Sequence, residues 1–270
     1  MDDAGSRRGA GCSACRDGQA LGIDIAMAFQ PIVDVAAGVV RGYEALVRGP
    51  NGEPAAEVLG RVDDGNRYAF DQRCRVVAIE TATALGIAAT GARLSINFMP
   101  NAVYSPAACI RLTLATARRC GLPLDRLTFE FTEHERVADV AHVRAIIAEY
   151  QRHGFKVALD DVGEGYASLA LLADLRPDVL KLDRRLVRGV DGDAVRAAIL
   201  RGIVQLAREL AIALVAEGVE TAAESRTLVG LGIDLQQGFW LARPALGALP
   251  RPMPVGHGGA APIEAAAARA

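Results

Sequence analysis

The sequence predicts an α/β fold, a modified TIM (β/α)8 barrel whose first two strands pair antiparallel. Three observations predict it. Eight short apolar runs of four to eight residues, rich in Val, Ile, Leu and Phe, have strand rather than helix length. Helix-length segments separate most of them. Most runs also end on a residue that can hold a metal or move a proton, and in such barrels the polar residues at the carboxyl ends of strands meet at one mouth. The 270 residues suit one barrel of roughly 250 residues.

In order, the runs are Phe29–Asp34, Tyr43–Arg48, Leu94–Asn97, Leu127–Glu133, Val157–Asp161, Val179–Asp183, Ala213–Glu220 and Ile233–Gln237. The first two are joined by a short segment containing Gly38, too short for a crossover helix, which predicts the antiparallel hairpin. Ser105 before Pro106 predicts a helix start, with the hydroxyl as cap and proline in the first turn. Val143, Ile146, Ile147 and Tyr150 fall on one helical stripe, and Val195, Ile199, Ile203, Leu206 and Leu210 predict a longer one. Thr221 with Glu224 three residues on predicts a capping box directly after the seventh strand.

Residues 1–24 read as a flexible leader, 25–249 as the barrel and 250–270 as a Pro-, Gly- and Ala-rich tail. A hydrophobic content of 51% supports a large core and excludes a disordered chain. The net charge of -2 argues against DNA, RNA or an anionic membrane as partner. No apolar run is long enough to span a membrane, and the N-terminus lacks an apolar signal core, so the expected location is the cytoplasm. Five cysteines in a chain of this size do not suggest a disulfide framework. Cys74, Cys109 and Cys120 are expected as reduced thiols in helices. Cys12 and Cys15 form a Cys-x-x-Cys pair without a second pair to complete a zinc site. Of the 30 basic residues only Lys156 and Lys181 are lysines. In so arginine-biased a chain, Lys181 inside an apolar run points to a compact, titratable ammonium with a function.

Strand alternation places Glu44 with Leu46 and Arg48, Glu130 with Thr132, and Lys181 with Asp183. If those faces line the mouth, Glu44, Asn97, Glu130 and Asp160 supply oxygen donors from four strands, with Asp161 beside Asp160. Oxygen donors without clustered His or Cys select Mg²⁺ or Mn²⁺. An adjacent pair of aspartates can serve two metals, an arrangement suited to in-line displacement at phosphorus. Each residue alone has a plain structural reading, such as a helix cap or a turn. Together, several buried carboxylates without counter-ions would cost too much.

The motifs Phe29-Gln-Pro-Ile-Val-Asp34, Glu44-Ala-Leu-Val-Arg48, Ser95-Ile-Asn97, Glu130-Phe-Thr-Glu133, Asp160-Asp-Val-Gly-Glu-Gly-Tyr166, Lys181-Leu-Asp183, Ala216-Glu-Gly-Val-Glu220 and Gln237-Gly-Phe239 stand in an order that resembles the EAL domain, a cyclic di-GMP phosphodiesterase family. The resemblance runs from about Ala26 to Pro244. It implies metal-dependent hydrolysis of cyclic di-GMP to linear pGpG by a homodimer. It implies that Glu44, Asn97, Glu130 and Asp160 hold one Mg²⁺ or Mn²⁺, with Asp160 bridging to a second held by Asp161. Lys181 would orient or activate the attacking water, with Glu217 and Gln237 completing its network. Arg48 would pair with a phosphate, and Gln30 and Leu46 would line the nucleotide pocket. Glu133 would anchor the loop coupled to dimerisation, and Glu220 and Asp183 would support the site from behind. Val162, Glu164 and Ala167 depart from the usual Phe, small or hydroxyl residue, and Ser. Glu164 adds negative charge beside an anionic substrate, which favours a second reading: a weak or inactive domain acting as a cyclic di-GMP receptor or protein-interaction module.

Overall fold

A computed structural model gives the fold and describes residues 22–132, 139–163 and 169–253. The strands β1 (Ala26–Asp34) and β2 (Val39–Arg48) pair antiparallel, turning through Gly38 at a φ of 69°, in the left-handed region glycine favours. Then β3 (Arg93–Asn97), β4 (Leu127–Thr132), β5 (Lys156–Val162), β6 (Val179–Leu182), β7 (Ala213–Ala216) and β8 (Leu235–Gln236) add in sequence order, each parallel to the last. The end of β1 pairs antiparallel with β8 and closes the barrel. A further two-residue strand, β9 (Ala245–Leu246), was not legible in the sequence. It pairs with Ala28 and Phe29 on the edge of β1 that β2 leaves open.

Helices cover the outside: α1 (Ala55–Leu59), α2 (Arg67–Ala84), α3 (Ile87–Thr90), α4 (Pro106–Cys109), α5 (Arg111–Cys120), α6 (Val140–Arg152), α7 (Leu169–Leu175), α8 (Arg184–Val187), α9 (Ala194–Glu209) and α10 (Ala222–Leu231). The core lies between strands and helices. Val143, Ile146, Ile147 and Tyr150 of α6 are all buried there, as their spacing predicts. The ring of Tyr150 lies 4.9 Å from that of Phe129 on β4. Such aromatic pairs add about 0.5–1.5 kcal/mol beyond the area they bury.

Four local expectations need correction. The stripe predicted on α9 is rotated: Val195 and Ile199 are exposed, and Leu200, Val204 and Ala207 face the core. Ser105 makes no side-chain cap bond, although Pro106 does open α4. The seventh strand stops at Ala216 rather than Glu220, because Gly218 at a φ of 63° turns the chain across the barrel end. There Val219 donates its N–H to Gln237 O, and Trp240 donates to Val219 O. The packed structure also begins earlier than residue 25, since Ile23 is buried in the core. The capping box is present, with Thr221 and Glu224 capping each other at the start of α10.

Cys74, Cys109 and Cys120 are free thiols, the first two buried. Cys12 and Cys15 lie outside the described residues. Among the described residues no helix is long and apolar enough to cross a membrane.

Candidate metal centre at the barrel mouth

Strand register assembles the site. Gln30 stands directly opposite Glu44 in the antiparallel pair. Asn97 pairs with Glu130 across β3 and β4. Between β5 and β6, Leu159 faces Leu180 and Val162 faces Leu182, so Asp160 and Asp161 together oppose Lys181. This is a β-bulge, which re-aims side chains where a regular strand would alternate them. Asp161 takes a left-handed φ of 57°, uncommon for a non-glycine residue, and its N–H bonds to Asp160 Oδ1 at 2.9 Å.

Lys181 sits at the centre, 1% exposed. Its Nζ lies 2.7 Å from Glu130 Oε2, 2.7 Å from Glu217 Oε1, and 3.3 Å from both Glu44 Oε2 and Asp160 Oδ2. Burial alone would lower its pKa, but the four carboxylates, Asp160 foremost, hold the ammonium charged far above its usual range. Glu44 is oriented by Asn97 Nδ2 at 2.9 Å and by Gln237 Nε2 at 2.7 Å. Burial would raise its pKa, yet the Lys181 charge and these two amide donors prevail and hold it low. Glu130 goes the other way. Burial, with the Glu44 and Asp160 charges adding to it, outweighs Lys181 and raises its carboxyl to about 7. Glu217 is raised well above the usual range, first by burial and then by Asp160 and Glu44.

Two triads of carboxylates emerge, Glu44 with Glu130 and Asp160, and Asp160 with Asp161 and Glu217. In each, one oxygen from every residue lies within 4.8 Å of the others. Asp160 belongs to both. The donor set fits hard divalent cations: all oxygen, and five carboxylates against one ammonium. Gln237 Oε1 is buried without a hydrogen-bond partner among the described residues, an acceptor still to be satisfied in this centre.

Other predicted residues lie around this centre. Gln30 accepts from Gln237 Nε2 at 3.1 Å and donates to Ala242 O at 3.0 Å. Gln30, Glu44, Asp160, Asp161, Glu217 and Gln237 line a cavity of about 300 Å³. Leu46 and Arg48 line a neighbouring, more apolar cavity of about 320 Å³, which Asn97 also borders. Asp183 does not reach the cluster; its carboxylate caps α8 by accepting the Arg185 N–H at 2.8 Å. Glu220 lies at the cavity rim and pairs with Arg184 at 2.8 Å. Glu133 and Glu164 lie outside the described residues.

Three supporting residues carried no sequence signal for a role at this site, Glu224 being legible only as half of a capping box. Asp71 on α2 pairs with Arg75 at 2.8 Å in the core and accepts the Met99 N–H at 2.9 Å, two residues beyond Asn97. Glu224 accepts from the N–H groups of Gly189, Glu220 and Thr221 at 2.9–3.0 Å, tying the turn after α8 to the loop that carries Glu217. Arg184 lines the cavity itself.

Comparison with known proteins agrees with this geometry. The model of the EAL domain matches residues 18–244. The chain belongs to the EAL domain family. A standalone EAL protein from Vibrio cholerae O395, solved in its c-di-GMP bound form, is 46% identical with a TM-score of 0.84, covering 87% of this chain and 98% of that one. BlrP1 of Klebsiella pneumoniae, in a manganese and cyclic di-GMP complex, is 33% identical with a TM-score of 0.78, covering 84% of this EAL chain and 57% of that one. Among curated relatives, the Escherichia coli antirepressor BluF is 30% identical, covering 83% of this chain and 55% of BluF. The probable cyclic di-GMP phosphodiesterase PdeG of the same organism is 32% identical, over 80% of this chain and 44% of PdeG. The chain thus spans about half or less of the length of these curated relatives.

Proposed function

We propose that this EAL domain hydrolyses one phosphodiester of cyclic di-GMP, giving linear pGpG, with two Mg²⁺ or Mn²⁺ ions. The observation that carries this reading is the pair of carboxylate triads sharing Asp160 around the Lys181 ammonium. Glu44, Asn97, Glu130 and Asp160 would hold one ion, and Asp160, Asp161 and Glu217 the other. When bound, such ions supply Lewis-acid stabilisation of the phosphoryl oxygens and a water acidic enough to attack at neutral pH.

The chain's own groups do the rest. Lys181, held as an ammonium, donates and cannot serve as base, so it orients the attacking water. Glu217, 2.7 Å from the Lys181 ammonium and in the second triad, acts on that water either as a ligand through water or as its base. Gln237 positions Glu44 and offers its Oε1 to the water. Arg48 pairs with a phosphate of the substrate through its planar fork. Gln30 and Leu46 border the nucleotide pocket, Glu133 anchors the adjoining loop, and Glu220 and Asp183 support the rim. The working unit proposed is a cytoplasmic homodimer of this barrel. PdeG and the complexes of cyclic di-GMP with EAL proteins support the substrate.

The second reading, a receptor that binds cyclic di-GMP without cleaving it, is favoured by Glu164 and by BluF, a relative named for antirepression. Purified protein incubated with cyclic di-GMP and Mg²⁺ or Mn²⁺, with products followed by chromatography, separates the two. Hydrolysis abolished by EDTA supports the phosphodiesterase. Binding without product supports the receptor. Ca²⁺, with longer and looser coordination, is expected to bind and inhibit.

A further inference from the structure

The cavity at the metal centre presents a charge problem. Glu44, Asp160, Asp161, Glu217 and Glu220 line it, yet a cyclic dinucleotide brings two phosphodiester charges. Two cations at the triads answer for one phosphate, the one to be cleaved. Among the described residues lining this cavity, Arg184 carries the one positive charge.

Local structure presents Arg184 to the cavity. It is the first residue of α8, three positions after Lys181, and Asp183 caps that turn through the Arg185 N–H. Its stem lies across Gly218, where an added Cβ would stand 2.6–2.7 Å from Arg184 Cγ and Cβ. Glycine there, at a φ of 63°, lets the arginine pass over the β7 loop beside Glu217. The guanidinium Nη2 meets Glu220 Oε1 at 2.8 Å, with both side chains more than a third exposed. An exposed ion pair of this kind is worth about 0–1 kcal/mol, so it exchanges readily for a stronger partner. A guanidinium has five N–H donors in a rigid fork, and one carboxylate contact leaves donors over for a phosphate.

We propose that Arg184 is a specificity-determining residue that binds the second, non-scissile phosphodiester of the substrate. Arg48 borders the other cavity and not this one, so it does not answer the charge problem here. The inference rests on the cyclic di-GMP reading of this site. It explains how a cavity lined by acids accepts a dianionic ligand: the triads would hold cations for one phosphate and Arg184 binds the other, with Glu220 orienting the arginine.

The test compares the wild type with Arg184→Ala and Arg184→Lys by calorimetry in Ca²⁺. The ligands are cyclic di-GMP and the single-phosphodiester dinucleotide GpG. Arg184→Ala should weaken cyclic di-GMP binding roughly tenfold and GpG binding less than twofold. Arg184→Lys should recover part of the loss, since it keeps the charge and loses the fork. Under turnover conditions the same loss should appear in KM, with kcat within about twofold. Mn²⁺ binding measured without nucleotide should be unchanged. Equal losses on both ligands would reduce Arg184 to a structural role and overturn the proposal, as would unchanged affinity for cyclic di-GMP. A wild type that binds but does not cleave would count against hydrolysis alone and leave this test standing. A wild type that binds neither ligand would overturn both.

Discussion

Glu130→Gln should make the metal-free protein more stable while destroying its metal site. Glu130 is buried, and its carboxyl rises from an ordinary value of 4.5 to about 7, through burial first and the neighbouring Glu44 and Asp160 charges next. The folded state therefore holds this proton more tightly than the unfolded state. Between pH 4.5 and about 7, stability falls as pH rises, because folding must keep a proton that solution is withdrawing. Above that window the ionised group costs the fold about 3 kcal/mol, at about 1.36 kcal/mol per pH unit. The amide removes that cost. That figure is already net of the Lys181 attraction at 2.7 Å; burying the amide in place of the carboxyl takes back about 1 kcal/mol, so a net gain of about 2 kcal/mol is expected. For a chain of this size that is a rise in Tm of about 4–8 °C. The assay is thermal unfolding in EDTA at pH 8 and at pH 4, followed by circular dichroism. The variant should melt higher at pH 8 and match the wild type at pH 4. Saturating Mn²⁺ should raise the wild type only, by about 2.7 kcal/mol at a hundredfold excess over Kd. A Glu130→Gln protein no more stable than wild type at pH 8 in EDTA would refute the argument that this centre is over-charged without cations.

Other expectations follow from the same geometry. Lys181→Arg should lose turnover by at least about a hundredfold, because a planar guanidinium cannot satisfy four carboxylates converging on a single nitrogen; steady-state rates check this, and a near-normal rate would mean that charge alone suffices. Asp71→Ala should cost about 3–5 kcal/mol in urea unfolding, since it strands the buried Arg75 guanidinium and frees the Met99 N–H; a loss under 1 kcal/mol would show that the pair is replaceable. At the opposite end of the barrel, burial opposes ionisation of Asp178, but Lys156, the Val157 N–H and Gln151 hold its pKa low. Its contribution should be complete above the ordinary Asp value near 3.8 and disappear as pH falls through the lowered one. Asp178→Asn should thus narrow its stability gap to wild type as the solution is acidified below pH 4, and a constant gap would contradict this.

Much of the barrel was legible because each strand is a short apolar run with a polar residue near its carboxyl end. Glu44, Asn97, Glu130 and Lys181 could be placed by strand order alone, since register in a closed barrel brings strand ends to one mouth. What escaped the sequence depends on contacts between distant segments. The two-residue strand Ala245–Leu246 exists because β1 has an open edge, not because its own sequence favours extension. On α9 two apolar faces compete, and packing selects Leu200 and Val204 over Val195 and Ile199. The bulge that aims both Asp160 and Asp161 into the mouth is a pairing feature that adjacent aspartates do not announce. Arg184 looks like any other arginine until Gly218 opens a path for it, and Glu224 reads as half of a capping box while its carboxylate also holds Gly189.

The most direct measurement of the central claim is anomalous diffraction from crystals grown with Mn²⁺ and cyclic di-GMP, using an inactive Lys181→Met variant to hold the ligand intact. The account predicts two manganese peaks about 3.5–4 Å apart, sharing Asp160, with a substrate phosphate between them. A single peak, or nucleotide bound with no manganese on either triad, would contradict it.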